Sequence, residues 1–178
     1  MSRATWASEH EHEQLLSAAN QVLMALRTGD FNRLSEQIHE NTGVGMSPYS
    51  RNLTELFVVK FNREQVIAFD DDETLYLWGR YDGIGDPIRL TAKSYFKEFV
   101  YDIDYSSMAK VYVIPSEKKI PAEFSALRAA YPHASIVHYH YQGSEDVAHN
   151  DFRDLLMLFD QIDNRWFLIG ISHGERTI

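Results

Sequence analysis

The spacing of apolar residues changes once along this chain, at Pro48, and that change fixes the class of fold open to it. Before it, Leu15, Ala19, Val22, Leu23 and Leu26 recur at three- and four-residue intervals, which predicts a helix over 13–27 with one buried stripe, ended by Gly29. Asp30 is placed to cap a second, shorter helix with Phe31, Leu34 and Ile38 on one face, stopped by Gly43 and Gly45. Pro48 holds Ser47 extended. Beyond it, 56–61, 66–69 and 74–81 are short runs rich in Val, Ile, Phe, Tyr and Trp between turn residues, the pattern of strands. Thr91 can cap a third helix whose sticky face carries Tyr95, Phe96, Phe99 and Val100. Strands resume at 109–114, 135–141, 155–159 and 166–171, with a mixed, partly helical stretch over 117–132. Asp163-Asn164 reads as a hairpin turn, and short turns between the last strands require antiparallel pairing. The expected class is α+β. Two amino-terminal helices and an internal helix over 91–102 should pack on the concave side of a curved, mostly antiparallel sheet.

A chain of 178 residues with 44% hydrophobic and 13% aromatic side chains has the apolar surface for one domain, read here as 13–178 behind a polar amino-terminal segment 1–12. Charge narrows its partners. With 17 Lys+Arg against 26 Asp+Glu the net charge is −9 and no basic run occurs, which argues against nucleic acid and against anionic membranes. The absence of cysteine excludes disulfides, thiolate catalysis and Cys-ligated zinc. No stretch of ~18 apolar residues offers a transmembrane span. The amino terminus, with His10 and His12, has no apolar core of a signal peptide, so the compartment is the cytosol or, if an export signal has been removed, the envelope or beyond.

Three local patterns stand out: His39-Glu40-Asn41-Thr42-Gly43-Val44 with Ser47-Pro48-Tyr49; Trp78-Gly79-Arg80-Tyr81-Asp82-Gly83; and Phe99-Val100-Tyr101-Asp102. Together they resemble a group of uncharacterised bacterial NTF2-like proteins, many of them exported. The end of the chain adds Asp151-Phe152-Arg153, Trp166-Phe167-Leu168-Ile169-Gly170-Ile171, His173 and Thr177-Ile178. The group usually has proline where this chain has Glu40, and ends Trp-Thr-Ile where this chain has Arg176-Thr177-Ile178. The resemblance implies the NTF2-like cone, a pocket between sheet and helices, and a homodimer through the open face of the sheet. It implies no particular activity, since members of that superfamily use the pocket for binding or for catalysis.

Gly170-Ile171-Ser172-His173-Gly174 has the letters of a hydrolase nucleophile elbow, but only four residues follow it, too few for the helix and the downstream acid and histidine. The acidic run 70–73 lacks the ligand spacing of an EF-hand, and the glycines of 82–87 do not open a helix as a phosphate loop would. His138 and His140, two apart in a strand, point to one face about 6.6 Å apart along the backbone, with Tyr139 and Tyr141 opposite. A metal would need a third ligand, from His173, Asp151 or Asp102; because no spacing guarantees one, the pair is expected to stay metal-free, and no cofactor is expected. The first reading is a module that binds a small ligand or a protein partner; a ligand pocket would draw on Ser47, Tyr49, Trp78, Tyr81 and Arg153, with Arg153 clamping a carboxylate and Trp78, Tyr49 and His173 bordering one cavity. The alternative is a cofactorless isomerase, hydratase or cyclase in which Asp82, Asp102 or His173, each beside an aromatic run, carries the proton.

Overall fold

The computed structural model describes residues 3–50 and 58–175, with side chains from residue 9 onward. Residues 56 and 57 of the expected strand 56–61, and the 177–178 pair, lie outside the described residues. Helix α1 runs Arg3–Thr28, so the polar segment carrying His10 and His12 belongs to it. Helix α2 is Phe31–Ser35, capped by Asp30, whose carboxylate accepts from Arg33 N–H at 2.9 Å. Strands β1 (Val44–Ser47) and β2 (Val59–Phe61), helix α3 (Arg63–Ile67), and the hairpin β3 (Tyr76–Arg80) and β4 (Pro87–Leu90) follow. Helix α4 (Ala92–Tyr95), capped by Thr91, continues as a π-turn through Val100, then come α5 (Tyr105–Met108), β5 (Lys110–Ile114), α6 (Ser125–Ala130), β6 (Ser135–Tyr141), β7 (Arg153–Ile162) and β8 (Arg165–Glu175).

Six strands form one sheet in the order β2-β1-β8-β7-β6-β5, antiparallel except where β1 runs parallel to β8. β7 and β8 turn at Asp163-Asn164 with φ of 49° and 62°, the doubly positive geometry of a type I′ hairpin. A register shift at Leu158/Phe159 adds a bulge, which bends the sheet.

The alternation of β6 and β7 divides the interior. Val137, Tyr139, Leu155, Met157 and Phe159 face the main core with α1, α2 and α4. Ile136, Leu156 and Leu158 face the other way, where Phe124, Leu127 and Ile120 cover them. This second cluster corrects the expectation of helices on one side only, since α6 lies on the reverse face.

Two further readings are corrected. Residues 66–69 are helical: Asn62 accepts from Gln65 N–H at 2.8 Å while Gln65 Oε1 accepts from Asn62 N–H at 2.9 Å, a reciprocal cap that favours a helical turn over an extended run. Asn62→Ala should therefore cost about 1 kcal/mol, read as a shift in urea midpoint at unchanged slope. The glycines of 43–45 do more than stop a helix, because Val44–Ser47 is an inner strand of the sheet. A Cβ at Gly45 would strike the Tyr131 hydroxyl and lie 2.7 Å from Val58 Cγ1, so a glycine is needed for this strand to sit between β2 and β8.

Candidate functional site

The end of β8 and the segment after α4 bring the expected proton carriers together. His173 is fully buried on the main-core face, opposite Leu155, and its ring meets Phe99 edge-on at 6.0 Å. His173 Nε2 stands 3.4 Å from Asp102 Oδ2, close enough for attraction but without hydrogen-bond alignment. Asp102 Oδ2 accepts from Arg153 Nε at 2.7 Å, and Oδ1 accepts from the Tyr105 hydroxyl at 2.8 Å. Arg153 also lies 3.6 Å from Glu175 and donates to the Phe152 carbonyl. The carboxylate clamped by Arg153 is thus this chain's own Asp102.

Electrostatics follow from these contacts. Burial raises the Asp102 pKa, but the His173 imidazole, the Tyr105 hydroxyl and the Arg153 guanidinium outweigh it and hold the carboxyl below its usual range. Burial and the adjacent Asp102 carboxylate push the Tyr105 phenol well up, so it stays a neutral donor. His173 Nδ1 has no hydrogen-bond partner among the described residues, while Nε2 faces Asp102.

Aromatic side chains gather around Phe99, the ring that His173 meets. Tyr49 meets Phe99 edge-on at 5.8 Å, Tyr81 lies 6.0 Å from the same ring, and the Tyr49 hydroxyl accepts from Asp82 N–H at 3.3 Å. Tyr81 is pushed up to about 12 by burial and by its hydrogen bond to Glu98. Tyr49 is raised mainly by burial. Asp82 itself is exposed at the β3–β4 turn, so it lacks the low-dielectric wall expected for it. Ser47 is buried in β1 and donates to the Tyr49 carbonyl at 2.9 Å, bracing the chain across Pro48.

Trp78 belongs to the core. It is fully buried, stacked on Tyr95 at 3.6 Å, and donates to the Leu90 carbonyl at 2.9 Å. Strict alternation would send Tyr81 to the opposite strand face from Trp78, but a bulge between Leu77 and Gly79, with Gly79 at φ 137°, shifts the phase. Both aromatics turn toward the core, and Tyr81 reaches Phe99.

On the reverse face His138 and His140 converge as their spacing implies, but their partner is Asp154, a residue the sequence reading did not single out. His138 Nε2 and His140 Nδ1 lie 2.6 and 2.7 Å from the same oxygen, Asp154 Oδ1. None of the three expected third partners takes this place: Asp151 closes a loop by accepting from Ser144, while Asp102 and His173 are on the main-core face.

Two recesses formed by described residues are an open one of about 470 Å³ beside His39, Arg63, Arg165 and Phe167, and another of about 220 Å³ beside Phe31, Lys93 and Tyr101. No protein-family model matches the sequence, and no curated protein does. Among solved structures, an NTF-2 like protein of unknown function from Shewanella oneidensis MR-1 is 12% identical over 92% of this chain and 98% of its own, with a TM-score of 0.38. A putative calcium/calmodulin dependent protein kinase II association domain from Xanthomonas campestris is 10% identical over 90% of this chain and 84% of its own, with a TM-score of 0.37. The strand order and the two packed faces define the α+β fold. No helix among the described residues is long and apolar enough to cross a membrane.

Proposed function

We propose that this chain is an NTF2-like domain that binds a small, partly aromatic ligand at the Tyr49–Phe99–His173 end of its sheet. The observation that carries the reading is His173: a fully buried imidazole whose Nδ1 has no hydrogen-bond partner among the described residues while its Nε2 faces the Asp102 carboxylate. A buried polar group left unpaired costs about 1–3 kcal/mol, so its retention is explained when a ligand or water supplies the partner. Phe99 and Tyr49 offer the apolar wall beside it, and Asp102, held by Arg153 and Tyr105, fixes the charge behind the ring. The order of elements, helices first and a Trp166-bearing terminal hairpin last, supports the NTF2-like assignment.

A second reading draws on the 3.4 Å approach of His173 to Asp102: the pair could move a proton on the bound molecule, as a cofactorless isomerase, hydratase or cyclase would. Native mass spectrometry of the protein from its own host tests the binding. A retained organic mass that is lost in Tyr49→Ala and His173→Ala variants, both still folded by circular dichroism, is the expected result. The same mass returning chemically altered after incubation with wild type, and unaltered with His173→Ala, selects the proton-transfer reading. Retention unchanged in both variants rejects this end of the sheet as the binding site.

A further inference from the structure

The reverse face of the sheet holds a second polar cluster that the ligand site does not use. His138 and His140 occupy alternate positions of β6, and register pairs His140 with Asp154 and His138 with Leu156 on β7. The Asp154 side chain is fully buried, the His138 side chain is 10% exposed and that of His140 is 26% exposed, so the cluster opens to solvent at the His140 end. Its members cannot swing freely. The His138 ring is held between Phe124 at 5.2 Å and Tyr112 at 5.8 Å. Asp154 is packed against Gly174, where an added Cβ would lie 3.0 Å from Asp154 Cβ and 2.9 Å from the buried Ser50 hydroxyl.

We propose that His138, His140 and Asp154 bind one divalent transition-metal ion of the zinc or iron(II) class. The donor atoms, His138 Nε2, His140 Nδ1 and an Asp154 carboxylate oxygen, all lie within 4.8 Å of one another. An ion at ~2.0–2.1 Å from each donor needs donors about 2.9–3.4 Å apart. The two nitrogen–oxygen separations of 2.6 and 2.7 Å lie just under that span. The two ring nitrogens, within 4.8 Å of each other, must close toward that span by rotation of His140, the most exposed of the three, and coordination replaces the two hydrogen bonds. Two imidazoles and one carboxylate leave coordination positions open, and the His140 end of the cluster is the more exposed one, with Lys110 of the neighbouring strand paired to His140 and Tyr112 to His138. In the metal-free state each ring donates N–H to Asp154. On binding, the proton on each of those nitrogens moves to the other nitrogen of its ring, which frees the lone pair for the ion. The earlier expectation of a metal-free pair rested on the want of a third ligand, and Asp154 supplies one.

The test is zinc uptake by the full chain after dialysis against a chelator. His140→Gln is the principal variant because His140 is the most exposed of the three, at 26%; Asp154→Asn is the second, with circular dichroism as the fold control for both. Wild type should take up one equivalent of zinc, rise in melting temperature with zinc concentration, and show d–d absorption when loaded with cobalt(II). Loss of His140 should weaken uptake by more than the ~10- to 100-fold that loss of an outer hydrogen-bond partner costs. Absence of zinc uptake by wild type overturns the proposal. So does uptake that persists in folded His140→Gln, as adventitious binding at His10 and His12 would give.

Discussion

Replacing Trp78 with alanine should unfold the protein more readily by about 3–5 kcal/mol, the range for loss of a large buried aromatic. The indole is fully buried between Tyr95, stacked at 3.6 Å, and Phe61 at 5.6 Å, and its N–H reaches the Leu90 carbonyl at 2.9 Å. The variant therefore loses the ring's burial, the stacking and a bond that ties β3 to the end of β4, leaving a cavity that the π-turn of α4 cannot collapse into without moving Phe96 and Phe99. In a domain of this size ~1 kcal/mol moves the melting temperature by about 2–4 °C, so a fall on the order of 10 °C is expected in a calorimetric scan. Trp78→Phe keeps the stack and should recover most of it. A melting temperature within about 2 °C of wild type for Trp78→Ala would show that the indole lines an open wall and not the core.

Local chemistry was the readable part of this sequence. Asp30, Thr91 and the Asp163-Asn164 turn act through hydrogen bonds or φ preferences within a few residues, and each stands where the sequence puts it. The cap at Asn62-Arg63-Glu64-Gln65 was equally local, yet the apolar run behind it, Val66 to Phe69, imitates a strand when period alone is weighed. Strand β1 could not be read in this way. Its two glycines look like breakers, and only the approach of Tyr131 and Val58, distant in sequence, makes Gly45 a strand residue. The sites divide along the same line. Alternation puts His138 and His140 on one face, but the register that brings Asp154 across from His140 is a property of the whole sheet. Beginning β7 at Arg153 and not at Leu155 would have put Asp154 within a strand, on the face opposite Arg153, and that was the available signal. The Trp78–Gly79 bulge shows the converse, since one glycine at φ 137° reverses an alternation that was otherwise sound.

Asp102→Asn should cost about 2–4 kcal/mol at neutral pH, and the sign of its pH dependence identifies the cause. In the wild type both carboxylate oxygens accept, Oδ1 from the Tyr105 hydroxyl and Oδ2 from Arg153 Nε. An amide must turn its NH2 toward one of these donors, and it also leaves the Arg153 guanidinium with Glu175 at 3.6 Å as its remaining carboxylate neighbour among these contacts. Both losses are larger than for an exposed pair, because the Asp102 side chain is only 14% exposed. The folded-state pKa of Asp102 lies below its ordinary value, burial being outweighed by His173, Tyr105 and Arg153. A depressed carboxyl stabilises the native state fully above the unfolded value of about 3.9, and that stabilisation is lost as pH falls through the lower folded value. The gap between wild type and Asp102→Asn should thus stay level from pH 7 to about 5 and narrow below about 4, as protonation makes the wild-type group resemble the amide. Urea denaturation of both proteins across that range measures it. A gap that grows on acidification would contradict the depressed pKa, and no gap at pH 7 would mean that Asp102 does not hold Arg153 and Tyr105 in place beneath the His173 ring.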